Sequence, residues 1–468
     1  MSKDKTEAEL LKEKLCYEPK HASKILDDKI IKKADKFACG YVDFMNSAKT
    51  EREVAAFMKA EAEAHGFVEF DKTKKYKAGD KVYRINREKC ILLCVFGKKD
   101  IGEGVKIAAA HIDSPRLDLK PNPVFEADEI AYFKTHYYGG IKKYQWTTIP
   151  LSLHGVIVKR NGEKVIVNIG EDENDPKFVI TDLLPHLGKE QMKRPLAEAI
   201  KGEELNILIG SRPFKDDKGS ELVKLNILKL LNEKYGIVES DFLSAELELV
   251  PASKASDIGF DRSMVGAYGH DDKVCAYPAA QAIFDIKDPE YTVVTVLTDK
   301  EEIGSDGNTG LNSSYFKYFI YDLAEMGGKK GRDVLSKSEC LSADVNAAFD
   351  PTFPDVMEKK NASYINKGVV ITKYTGAGGK YDTSDASAEF MGKIRSLLDS
   401  NDIVWQIGEL GKVDAGGGGT VAMYIANLNV DVVDLGVPVL SMHSPYEVIA
   451  KVDLYMAYEA FCKFFKMK

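Results

Sequence analysis

The run Thr292-Val-Val-Thr-Val-Leu-Thr298 carries no charge and is almost wholly β-branched, the texture of a strand buried on both faces. It stops abruptly at Asp299-Lys-Glu301-Glu302-Ile-Gly304, a polar turn with two adjacent glutamates, and continues as a glycine-bearing loop to Gly310. In open α/β sheets chemistry collects just past the carboxyl ends of strands. Adjacent glutamates there can point different ways, one towards a metal and the other towards a water. Taken alone, such a pair is most often a solvated acidic turn.

Other strand ends carry the same kind of residue. Val105-Lys-Ile-Ala-Ala-Ala runs into His111-Ile-Asp113-Ser-Pro115-Arg116, and a carboxylate two residues on can hold the second ring nitrogen of a metal-binding histidine. A histidine satisfied in a turn ended by Pro115 is the alternative. His270-Asp271-Asp272 precedes a small-residue helix, Val274 to Phe284, where plain N-terminal capping also accounts for the acids. Cys340-Leu-Ser-Ala ends on Asp344, and the apolar run from Val430 leads to His443. Two histidines and several carboxylates without thiolates suit a hydrolytic site built around two divalent ions. One aspartate bridging them would keep the ions roughly 3.5–4 Å apart, and a free glutamate would accept the proton of the attacking water.

The 468 residues, 44% hydrophobic and 29% charged, are those of a globular protein with two or three domains. A net charge of −8 argues against a nucleic-acid partner. The charged N-terminus lacks the apolar core of a signal peptide, and no apolar run approaches the roughly 18 residues of a membrane span. Seven scattered cysteines read as reduced core thiols, and the expected compartment is the cytoplasm. Residues 1–116 and 254–468 read as two parts of one α/β domain, with helices over about 53–65, 315–326 and 452–465. Between them, residues 117–253 alternate strand-like and turn-like segments and read as an inserted, largely β domain with a mobile loop at 212–220. Asp414-Ala-Gly-Gly-Gly-Gly-Thr420 has neither the lysine of a P-loop nor the spacing of a dinucleotide turn.

The motifs AAHIDSPRLDLKP, GHDDKVCAY, DKEEIGSDG, SADVNAAFDP, GVVITKYTGAGGK and DLGVPVLSMHSPYE together resemble the M18 metallo-aminopeptidases, the aspartyl aminopeptidase family, in a bacterial-type form. The resemblance covers nearly the whole chain. It implies an αβα-sandwich catalytic domain of the two-metal exopeptidase type with an inserted dimerisation domain, assembled as a homo-oligomer, commonly a dodecamer. It also implies that Asp271 bridges two divalent ions, zinc above all, with Mn2+ and Co2+ accepting similar donors. His111 and Asp344 would complete one ion's ligands, Glu302 and His443 the other's. Glu301 would be the general base, Asp113 the carboxylate supporting His111, and His186 in LLPHLG a residue that reaches a neighbouring subunit's site. Many members carry LDN where this chain has His270-Asp271-Asp272; the following Val-Cys-Ala-Tyr registers Asp271 with the family aspartate and leaves His270 a bystander. The expected substrate is a peptide with an acidic N-terminal residue, whose side chain Lys373 or Lys380 could meet as a point charge. Neutral-residue specificity, a related carboxypeptidase or amide deacylase, and a decayed scaffold are the rival readings.

Overall fold

The computed structural model describes residues 5–216, 218–376 and 378–468, so that Asp217 of the 212–220 loop and Ala377 of the loop after Gly368 lie outside the described residues. Its largest sheet has nine strands in the order Val68–Glu69, Lys81–Asn86, Cys90–Val95, Thr292–Thr298, Val105–His111, Glu339–Ser342, Asp431–Gly436, Val369–Thr372 and Trp405–Ile407. The four strands from Thr292–Thr298 to Asp431–Gly436 are mutually parallel. Their carboxyl ends therefore share one edge, which is why residues far apart in the chain meet there.

Alternation along each strand supplies both faces of the sheet. Ala108 and Ala110 face one apolar core with helices Asp28–Ser47, Glu51–Ala64, His270–Asp285, Ala388–Asp399 and Lys451–Phe465. Ile107 and Ala109 face a second core with Tyr315–Met326, Gly331–Leu335 and Ala422–Ala426. The result is an αβα sandwich. Helix Tyr315–Met326 has the bounds expected from its pattern, and the last helix begins one residue earlier than expected.

A second sheet has seven strands, all paired antiparallel, in the order Lys164–Ile169, Leu151–Val158, Ala245–Pro251, Arg116–Ala127, Ile130–Tyr138, Ile207–Gly210 and Val179–Ile180. Helix Leu222–Tyr235, which the sequence reading did not assign, packs on its strands and ends at Gly236 in a left-handed conformation, φ 65°. Leucine-rich LVKLNILKLLNEKY before a glycine is an ordinary helix signal; the surrounding strand texture masked it. The two sheets are joined by buried charge. Arg116 pairs with Glu51 at 3.4 Å and Glu248 at 3.4 Å, and Lys49 pairs with Glu171 at 2.7 Å.

Crowding at the site edge of the large sheet yields a direct test. A Cβ on Gly436 would stand 1.7 Å from the Asp344 carbonyl oxygen, whereas one on Gly392, inside helix Ala388–Asp399, would meet open space. Gly436→Ala should cost about 1–3 kcal/mol by overpacking, and Gly392→Ala should gain about 0.5–1 kcal/mol from helix propensity. Urea-unfolding midpoints of the two variants would show whether they move in these opposite directions.

Candidate active site

His111 closes its strand at full burial, and its Nδ1 lies 3.0 Å from the main-chain oxygen of Asp113. The Asp113 carboxylate, to which the sequence reading gives that support, stands 3.4 Å from the same nitrogen. Its oxygens are engaged elsewhere. Oδ1 accepts the Glu301 N–H at 3.1 Å, and Oδ2 accepts the Glu302 N–H at 3.2 Å and the Tyr138 hydroxyl at 2.8 Å. Asp113 thereby fixes the one-turn helix Glu301–Ile303, which is bracketed by the left-handed residues Lys300 and Gly304. A donor held by the main chain leaves His111 Nε2 to face Asp271.

Asp271 lies between the two histidines. Its Oδ1 is 3.1 Å from His111 Nε2 and its Oδ2 is 3.1 Å from His443 Nε2. His443 Nδ1 in turn lies 2.8 Å from the Gly140 carbonyl oxygen, and His443 Nε2 lies 3.5 Å from Glu302. His111 Nε2 is also 3.7 Å from Glu301 and 4.0 Å from Asp344. Asp271, Glu301, Glu302, Asp344 and His443 border a cleft of about 570 Å³. Helix capping does not describe Asp271 or Asp272: the Asp271 oxygens face the two histidines, and both Asp272 oxygens are buried without a hydrogen-bond partner.

Other residues of the reading lie elsewhere. His270 is enclosed between the Tyr41 hydroxyl at 2.7 Å and the Val265 carbonyl at 3.1 Å, and burial lowers its pKa to about 3. With both ring nitrogens engaged it is a packing residue. His186 stands exposed on the second sheet's side and is not among the residues bordering the cleft. Lys373 also stays outside the cleft wall, where its ammonium rests on Asp385, as does that of Lys380 at 3.0 Å. Three contributors were missed: Tyr138, Glu447 and the Gly139-Gly140 pair. A Cβ on Gly139 would come within 3.2 Å of Glu302 Oε2 and one on Gly140 within 3.3 Å of His443 Nδ1. The only sequence signal for the pair was a Gly-Gly turn after an aromatic strand.

The charge balance indicates what the cleft holds. Burial pushes the Glu301 carboxyl up to about 7. Burial and the Asp271 charge hold Glu302 well above the usual range, and burial and Asp272 do the same for Asp344. Burial pulls His443 down, but its bond to Asp271 and the Glu302 charge outweigh this and carry it to about 10. Among the described residues these carboxylates have no ion-pair partners except His111 and His443, and Glu302 Oε1 is buried without a hydrogen bond. His111, Asp271 and Asp344 bring one donor atom each within 4.8 Å of one another, as do Asp271, Glu302 and His443, and as do His111, Glu301 and Glu302. Nitrogen and oxygen donors in that arrangement fit divalent cations such as zinc.

Comparison with known proteins gives the same chemistry. The family profile described as aminopeptidase I zinc metalloprotease (M18) matches residues 44–465. A probable M18 family aminopeptidase 1 of Clostridium acetobutylicum is 48% identical over 449 residues, covering 94% of this chain and 97% of that one. The crystal structure of an M18 family aminopeptidase from Thermotoga maritima superposes with a TM-score of 0.93 at 42% identity, covering 96% of this chain and 100% of that one. An mApe1 dodecamer of S. cerevisiae, 21% identical, shares the fold with a TM-score of 0.73 and covers 94% of this chain and 97% of that one.

The carboxylates of this cluster that are pushed up, and both histidines, bind protons more tightly folded than unfolded. Between pH 5 and 8 the folded chain stripped of cations thus holds more protons than the unfolded one, and its stability falls as pH rises. Melting in EDTA should decline steadily across that window, and saturating zinc should flatten the slope. A cation-free chain whose melting temperature does not fall between pH 5 and 8 would contradict the charge balance drawn above.

Proposed function

The chain belongs to the M18 family of zinc metallo-aminopeptidases, and from that membership we propose that it removes an acidic N-terminal residue from peptides at a two-ion centre with Glu301 as general base. The observation carrying this reading is the pair of donor triads that share Asp271, whose two carboxylate oxygens face two different histidines. His111, Asp344 and Asp271 would hold one ion, and Glu302, His443 and Asp271 the other. When bound, such ions supply Lewis-acid charge for a water and for the scissile carbonyl.

The chain's own residues do the remaining work. Glu301 is held by its amide on Asp113 and projects its carboxylate beside His111, free of any other ion pair among the described residues. It takes the proton of the attacking water and returns it to the departing amide nitrogen, so that no net proton is left on the enzyme. Gly139 and Gly140 keep the wall beside Glu302 and His443 thin enough for the peptide terminus to approach. For the acidic preference, Lys373 is the candidate counter-charge. It lies two residues before Thr375, which borders the cleft, and would exchange Asp385 for the substrate carboxylate.

Assembly belongs to the same reading. Around His186 the apolar residues Leu183, Leu184 and Leu187 are each at least half exposed, more than a lone monomer usually leaves in one loop. Contact with a second copy would cover them, and the dodecamer described for the S. cerevisiae protein supplies the precedent for the larger particle. Cytoplasmic residence accords with free cysteines at all seven positions, and among the described residues no helix is long and apolar enough to cross a membrane.

Glu301→Gln should keep two ions per chain and lose turnover by about 10²–10⁴-fold, because the near-isosteric amide cannot accept a proton. Metal analysis beside kinetics on N-terminal Asp, Glu and Leu peptides tests base and specificity together; full activity in the variant would remove Glu301 from its role. For assembly, His186→Ala chains mixed with Glu301→Gln chains should regain activity wherever an intact His186 meets an intact Glu301. A verified mixed oligomer that stays silent would confine His186 to its own surface.

A further inference from the structure

We propose that Glu447 is a positioning residue that sets the spacing of the two cation sites by clamping the backbones of Asp271 and His443 on a single carboxylate. The inference rests on the two-ion reading above and deepens it. Glu447 is 1% exposed. Its Oε2 accepts the Asp271 N–H at 3.1 Å, and its Oε1 accepts the His443 N–H at 2.7 Å. The two residues it ties come from segments 172 positions apart (443 − 271). Asp113 does the same for Glu301 and Glu302, so two buried carboxylates between them hold the main chain of four of the six residues facing the cations.

The local fold delivers Glu447 to that position. Strand Glu447–Ala450 pairs antiparallel with Met264–Ala267, with Ala267 opposite Glu447, and the latter strand leads straight to Asp271. On the other side the chain turns back through His443, whose φ of 63° is left-handed, a conformation uncommon for a residue other than glycine. Such a conformation persists only where its surroundings over-determine it. Here the surroundings are the Glu447 carboxylate on the main-chain N–H and the Gly140 carbonyl beside Nδ1. Two main-chain donors need two acceptor oxygens. A carboxylate offers both, whereas a glutamine amide offers one and would point its own N–H2 at the other donor. The two backbone N–H bonds to Glu447 fix the distance between the shared ligand and the ligand private to one ion.

The test reads the two binding steps separately. Cation-free wild type and Glu447→Gln are titrated with zinc against a competing chelator, and Glu447→Asp serves as a charge-preserving second variant whose shorter arm reaches only one of the two amides. The step that depends on His443 should weaken by roughly 10–100-fold, as for other groups that orient metal ligands, and more than the step that depends on His111 and Asp344. A purely structural clip would lower the melting temperature and leave the ratio of the two steps unchanged, which would overturn the proposal. Hydrogen exchange on the cation-free wild type needs no variant: peptides holding the Asp271 and His443 amides should already be protected before zinc is added. Exchange there at open-loop rates would equally overturn the assignment. Wild type that never takes a second ion would sink the two-ion reading itself, a result distinct from two wild-type-like steps in both variants.

Discussion

Like charges brought together away from water repel strongly: two carboxylates 4 Å apart at an effective dielectric near 20 do so by about 4 kcal/mol. Asp113, Asp271, Glu301, Glu302 and Asp344 are gathered at one sheet edge, and among the described residues their ion-pair partners are two histidines. Much of the surrounding architecture is a means of holding that arrangement. Parallel strands bring the carboxyl ends together, and main-chain amides take up the lone pairs of Asp113 and Glu447. Left-handed turns at Lys300 and His443 aim side chains that ordinary turns would send elsewhere. An aminopeptidase that works with divalent cations needs a cleft that is electrostatically incomplete without them.

The second sheet takes part in this. Arg116 lies across the ring of Tyr138, 3.8 Å from its centroid, while the Tyr138 hydroxyl reaches Asp113. Arg116 itself is paired to Glu51 on the sandwich and to Glu248 on the second sheet. Gly140 lies just beyond Tyr138 and provides the carbonyl beside His443. The two sheets therefore share one polar network that ends at the cleft, and neither can shift far without disturbing its geometry.

Reading the chain located the central strands well, because a strand buried on both faces must be an uncharged apolar run, as Thr292–Thr298 and Val105–His111 are. It located the residues at their ends for the same topological reason. What it could not supply was direction. The sequence places Asp113 two residues from His111, but only the folded turn sends its carboxylate to the Glu301 and Glu302 amides and leaves the main-chain oxygen to the imidazole. Nothing local tells that Lys373 rests on Asp385, or that Tyr138 and Glu447 reach the site across long stretches of chain. Helix Leu222–Tyr235 was legible in its own residues and was lost to the strand pattern around it.

The spread of these residues along the chain also bears on biosynthesis. His111 leaves the ribosome 332 residues (443 − 111) before His443, and Glu447 follows four residues later (447 − 443). At typical rates of 5–20 residues per second the delay is roughly 20–70 s. Throughout that time the nascent chain exposes an incomplete set of donors, with the aspartate shared by both histidines held on one side only. Strand Glu447–Ala450 and helix Lys451–Phe465 follow His443 directly and pack into the central core. Assembly of the cleft thus waits on the segment that carries His443 and Glu447, and a polypeptide that stops before it would be released with Asp271 facing one histidine only.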